Sequence, residues 1–243
     1  MDPIRHLRRR LLLAWPASIA TSMVAVPPAW AASRLATEER AVAGFDDVTW
    51  DAAGELTIEQ SGRERLSIEA EPHVLRRIVV RVRDRRLEIG FAPGRVETTL
   101  PIRFTLELRQ LRRLELRGSG RTTTHALRSD DLAVVLEGSH DLRIDSLHAR
   151  RLDLRHAGAG NVRVMAGSVE SQRIALEGSG SVDATALDAR SSNVLLTGAG
   201  DVRVAAEQRL AARIDGSGDI VYRGRPQVSR IVHGAGDVRR AEP

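Results

Sequence analysis

From about residue 113 onward, apolar and polar residues alternate with a period of two, and glycine interrupts the alternation at a regular beat. Seven corners recur: Gly118-Ser119-Gly120, Gly138-Ser139-His140, Gly158-Ala159-Gly160, Gly178-Ser179-Gly180, Gly198-Ala199-Gly200, Gly216-Ser217-Gly218 and Gly234-Ala235-Gly236. Their first residues are spaced 20, 20, 20, 20, 18 and 18 apart. Two residues before each corner stand Leu116, Leu136, His156, Leu176, Leu196, Ile214 and Val232; four residues after its first glycine stand Thr122, Leu142, Val162, Val182, Val202, Ile220 and Val238. The positions between are mostly arginine, aspartate, glutamate or threonine. Such a repeat is strand, tight turn, strand, with one face buried.

A unit of 18 to 20 residues cannot bury that face alone. The pattern therefore predicts an all-β, parallel β-helix-like solenoid of two stacked sheets, with about seven Gly-[Ser/Ala]-Gly repeats. Like strands would pair between coils at about 4.8 Å, and seven coils would extend roughly 30 Å. Glycine at both ends of the corner is expected to supply positive φ, which it adopts at least cost.

Residues 45–116 lack the beat but keep the alternation, as in Leu66-Ser67-Ile68 and Phe104-Thr105-Leu106-Glu107-Leu108. They are expected to be irregular opening strands that cap the body, with the regular repeats at 117–240, all within one domain at 45–243. Phe45, Trp50, Phe91 and Phe104 fall in this cap.

Ahead of it, arginines lead into an apolar stretch from Leu11 that closes with Ala29-Trp30-Ala31, a small-x-small pattern. Residues 1–31 read as a cleaved secretion signal and 32–44 as a lead into the domain, so the protein is expected to be exported, to the periplasm or the cell surface, with no span in the mature chain.

The pI near 11 suggests nucleic acid as a partner, but the charge balance removes that reading. The 37 basic residues are all arginine against 32 acids, a net +5, and without lysine or cysteine almost nothing titrates between neutrality and pH 11. Arg5, Arg8, Arg9 and Arg10 against Asp2 put most of the excess in the leader. The absence of cysteine excludes disulfides and thiolate chemistry.

Phe45-Asp46-Asp47-Val48, Leu87-Glu88-Ile89, the repeated Gly-[Ser/Ala]-Gly-Asp-[Val/Ile] and Gly216-Ser217-Gly218-Asp219-Ile220-Val221-Tyr222-Arg223-Gly224-Arg225-Pro226 together resemble the bacterial auto-transporter adhesin head domain family, also called the GIN domain. The resemblance covers roughly 45–240. It implies an exported solenoid, pectate-lyase-like in outline, that acts in adhesion and has no established catalytic constellation. His140 in place of a second glycine, and Arg121, Asn161 and Ser181 in place of the following aspartate, depart from the pattern.

Two readings apply to Asp141, Asp201, Asp219 and Asp237, which follow their corners. One is a calcium column; the other is hydrogen bonding to corner amides, with Arg143, Arg163, Arg203 and Arg239 neutralising the row. The second is favoured, because one carboxylate per coil supplies too few ligands and arginines repel a cation. No cofactor or metal is expected. The histidines show no metal spacing, and His156 stands in a core column. The expected function is a non-catalytic binding or adhesion module, with Arg143, Arg163 and Arg203 as the face offered to an acidic polysaccharide or protein of the envelope or its surroundings. The alternative is a lyase-like polysaccharide-active enzyme on the same scaffold, for which no clustered carboxylates or nucleophile motif are visible.

Overall fold

The structure is a computed structural model that describes residues 34–242, so the expected leader at 1–31 lies outside the described residues. Strand makes up 69% of the described residues and helix 2%, and they wind into an all-β solenoid of about five turns. Its elements are β1 (Ala36–Arg40), β2 (Asp47–Asp51), β3 (Gly54–Glu59), β4 (Arg65–Ala70), α1 (Pro72–Leu75), β5 (Ile78–Arg83), β6 (Arg86–Phe91), β7 (Arg103–Glu107), β8 (Arg113–Gly158), β9 (Asn161–Val164), β10 (Gly167–Gly178), β11 (Ser181–Ala184), β12 (Leu187–Gly198), β13 (Asp201–Ala205), β14 (Arg209–Gly216), β15 (Ile220–Arg223), β16 (Gln227–Gly234) and β17 (Val238–Arg240).

Two parallel ladders carry the architecture. The first runs from β6 through β2 to the start of β8, and on through β10, β12, β14 and β16. The second runs from β7 through β3 to β8, and on through β9, β11, β13, β15 and β17. The register is one repeat throughout: Ile174 lies opposite Leu154 and Val194, and Val194 opposite Ala212. The apolar columns of the sequence thereby become continuous, with Leu136, Leu154, Ile174, Leu196 and Ile214 all buried between the ladders.

The seven corners stack in one file. Ala199 N and Gly200 N both donate to Gly178 O, at 2.9 and 3.1 Å, and Ser217 N and Ala235 N repeat the contact one and two laps later. Only three-residue β17 follows the last corner, so corners outnumber complete laps. The expectation of positive φ at both glycines holds for the first alone, as at Gly198 (φ +117°). The second is glycine for a different reason: a Cβ at Gly200 would sit 2.2 Å from Gly180 O and 2.9 Å from Leu176 Cδ2, far inside van der Waals contact.

The two ends are closed differently. At the N-terminal end β4 runs antiparallel to β7, β1 antiparallel to β4, and β5 antiparallel to β6, which halts parallel propagation. β1 falls within 32–44, so the sheet includes part of the segment expected to lie outside the domain. Trp50 and Phe104 are buried here edge to face, with ring centroids 6.0 Å apart. At the C-terminal end β16 and β17 are paired on one side only among the described residues. There the columns that hold Ala212 and Tyr222 one lap earlier end in Arg230 and Arg240. Arg230 Nη1 reaches over the open end to donate to Val238 O at 3.3 Å, placing charge where another chain would otherwise add.

Replacing Gly200 with alanine is expected to destabilise the fold by more than about 3 kcal/mol. Gly44→Ala, at φ +76° with open space around the added methyl, should cost only about 1 kcal/mol. Urea denaturation of the two variants checks this, and equal losses would contradict the close-stacking account.

Candidate functional site

The outer face of the second ladder brings the sequence-predicted arginines into one row. Arg143 lies opposite Arg163, Arg163 opposite Asp183, Asp183 opposite Arg203, Arg203 opposite Val221 and Val221 opposite Arg239. Strand alternation turns all three candidates, Arg143, Arg163 and Arg203, outward, and all three are exposed. Asp183, twenty residues from each neighbour, interrupts the row between Arg163 and Arg203. Arg121, which stands in the aspartate column, was missed as a candidate; it joins Thr123, Arg143 and Arg163 around a depression of about 220 Å³ that Asp141 also borders. Its departure from aspartate in an otherwise regular column was the available signal.

The expected pairing between these arginines and the corner aspartates is not what the structure builds. Arg143 Nε donates instead to Asp145 Oδ1 at 2.7 Å, while Arg163 and Arg203 have no side-chain partner among the described residues. Asp145 also meets His125 Nδ1 at 3.1 Å; although burial works to raise its pKa, the hydrogen bonds from Arg143 and His125 hold it below the usual carboxylate value. The corner aspartates serve the backbone. Asp201 Oδ1 accepts from Asp219 N at 3.1 Å, Asp219 Oδ1 from Asp237 N at 3.0 Å, and Asp141 Oδ1 from Asn161 N at 2.9 Å. These three carboxylates thus bind the amide of the next lap, whereas Asp237 Oδ1 accepts from its own neighbour, Val238 N, at 2.8 Å. Among the described residues no group of three or more histidine, aspartate or glutamate side chains is placed to hold a metal.

Two imidazoles lie inside the solenoid. His140 points into the core, with Nε2 2.8 Å from Thr122 Oγ1 and its ring edge to face with Trp50 at 4.9 Å. The Trp50 ring fills the space that a side chain at Gly120 would need, 2.6 Å from the notional Cβ. Burial pushes the His140 imidazole down to about 4; Asp141 opposes the shift and His156 adds to it. His156 Nε2 donates to Gly160 O at 2.7 Å, so it is a core histidine tied to the corner.

The chain that builds these repeated corners matches a known family. A family model described as "Putative auto-transporter adhesin, head GIN domain" matches residues 44–226. The chain belongs to this GIN domain family. Among solved structures, this GIN domain is similar to a putative adhesin from Bacteroides fragilis, at 23% identity and TM-score 0.79 over 86% of this chain and 98% of that one. It is also similar to a putative adhesin from Parabacteroides merdae, at 20% identity and TM-score 0.70, and to a putative lipid binding protein from Parabacteroides distasonis, at 21% and 0.70; each likeness covers 86% of this chain and 97% of the other. At these identities the likeness concerns the fold. No curated protein matches the chain in sequence.

The buried imidazole sets a pH dependence. His140 binds a proton near pH 6.5 when unfolded but only near 4 when folded, so its contribution is complete above pH 6.5 and is lost as pH falls toward 4, up to about 3 kcal/mol. Carboxylates such as Asp46, held low by its hydrogen bond from Arg85, lose their contribution below about pH 4, in a separate window. Denaturation midpoints measured from pH 7 to 4 should fall in the native protein and stay nearly flat in His140→Gln; parallel curves would contradict the assignment. For the aspartate file, Asp219→Ala is expected to cost about 1 kcal/mol. Calcium or a chelator should leave the native melting temperature unchanged, whereas stabilisation by calcium would restore the metal reading.

Proposed function

We propose that this GIN domain is a non-catalytic binding module of adhesin type, exported to the periplasm or the cell surface, that holds an acidic polysaccharide or protein along its arginine row. The observation that carries the reading is the register itself. It sets Arg143 beside Arg163 on one exposed strand face, leaves Arg163 and Arg203 without partners among the described residues, and adds Arg121 at the neighbouring depression. Guanidinium groups repeating at the lap spacing suit a polymer whose carboxylates or sulfates also repeat, because each pair is weak alone and several act together. The family and its structural neighbours, named as adhesins, support a binding role. The segment at 1–31 supports export, and no helix among the described residues is long and apolar enough to cross a membrane.

Calorimetric titration with polygalacturonate at low salt tests the reading, with dextran as the neutral control. Binding should weaken as salt rises and fall by at least about tenfold when Arg143, Arg163 and Arg203 are all changed to alanine. Polygalacturonate recovered afterwards should carry no new reducing ends or unsaturated products. Binding equal in the triple variant, or turnover of the polymer, would overturn the proposal.

A further inference from the structure

The first ladder carries a second concavity, on a different face and at the capped end. Antiparallel β5 and β6 bring Val79 opposite Gly90 and Arg81 opposite Glu88, and the parallel pairing of β6 with β2 adds Asp51 opposite Gly90 and Thr49 opposite Glu88. Alternation turns this set outward. Gly90 contributes no side chain, so the middle of the set is a hollow, enclosed at one end by Ala92 and Pro93 and bordered by Phe91, whose ring also packs on the core. The volume is about 420 Å³, in the range of small-molecule sites.

The chemistry of the lining is specific. One wall is apolar, from Val79, Phe91 and Pro93. Around it stand Asp51, Glu88 and Arg81, exposed and with no side-chain hydrogen bond or ion pair among the described residues. Arg117 closes the far side, fixed by Glu115 and by Glu137 at 3.6 Å. With Arg117 already neutralised by Glu115 and Glu137, the hollow sets Arg81 against both Asp51 and Glu88, and this surplus of one carboxylate disfavours an anion. The hollow instead alternates strong donors with strong acceptors beside an apolar surface. Vicinal hydroxyls, each able to donate and accept, match that alternation, and the C–H face of a pyranose ring matches the wall. An extended peptide would add to the edge of β5 that carries no partner strand among the described residues, rather than lie on this outer face.

We propose that this hollow binds a neutral saccharide, a site separate from the arginine row and independent of its acidic ligand. Arg81 and Glu88 are its specificity-determining residues, one donating to ring hydroxyls and the other accepting from them, while Gly90 keeps the floor open. Saturation-transfer NMR with cellotriose, maltotriose, mannotriose and chitotriose tests it on the whole protein. At least one trisaccharide should bind with Kd below about 5 mM. Affinity should drop at least about tenfold in Arg81→Gln/Glu88→Gln and in Gly90→Ser, which fills the floor, and should be unchanged when Arg143, Arg163 and Arg203 are replaced by alanine. Failure of all four sugars, or binding that survives both hollow variants, would overturn the proposal. Loss of binding only in the arginine-row variant would also overturn it, by moving the sugar to the other face. Amide spectra of the two exposed-residue substitutions confirm that the fold is retained.

Discussion

The whole body depends on how closely one corner can lie on the corner below. Strands of successive laps must approach to hydrogen-bonding distance, and where the chain reverses, that spacing leaves no room for a β-carbon between stacked backbones. A Cβ at Gly218 would lie 1.8 Å from Gly200 O, and one at Gly236 would lie 2.0 Å from Gly218 O. The contact is also bonded, since corner amides donate to the first glycine of the preceding lap. Because the corners are pinned, the strands between them cannot slip. A shift of one residue would turn every apolar column to solvent.

That pinning has consequences on both faces of each strand. Inside, it aligns branched aliphatic side chains into ladders that exclude water. Several of the polar exceptions are tied to particular partners: Gln172 and Ser192 share the carbonyl of Ala205, and His140 meets Thr122 beside Trp50. Outside, the same register lines up whatever the sequence places at the polar positions, so arginines a lap apart become neighbours. A binding surface on such a body is a row or a gap in a row. The arginine face is the first kind, and the hollow at Gly90 the second.

A solenoid must also stop. The first laps end by reversing strand direction and burying aromatic bulk, and the last lap ends by placing Arg230 and Arg240 opposite Ala212 and Tyr222, in columns that are otherwise mostly apolar. Ile231 and Val232 remain 50% and 37% exposed beside them. Charge at the head of the columns makes further stacking costly, because an added strand would have to desolvate both guanidinium groups.

The regular half was legible because each repeat carries its own complete instructions: small residues where the chain turns, apolar residues every second place, and a constant interval that fixes the pairing partner. The family, too, was readable from those corners. The antiparallel cap was not, since β1, β4 and β5 pair with strands at irregular separations and no period announces the partner. Nor was the role of the second glycine, which answers to a backbone 18 or 20 residues away rather than to its own φ. Sequence alone determined the fold class, the direction of winding of the repeats as parallel coils and the outward placement of Arg143, Arg163 and Arg203, because these follow from local periodicity. Tertiary structure decided which charges find partners, turning Arg143 to Asp145 and Asp141, Asp201 and Asp219 to the next lap's amide. It also made the hollow beside Phe91, because both depend on what lies across a strand pair, and local periodicity holds no information about that.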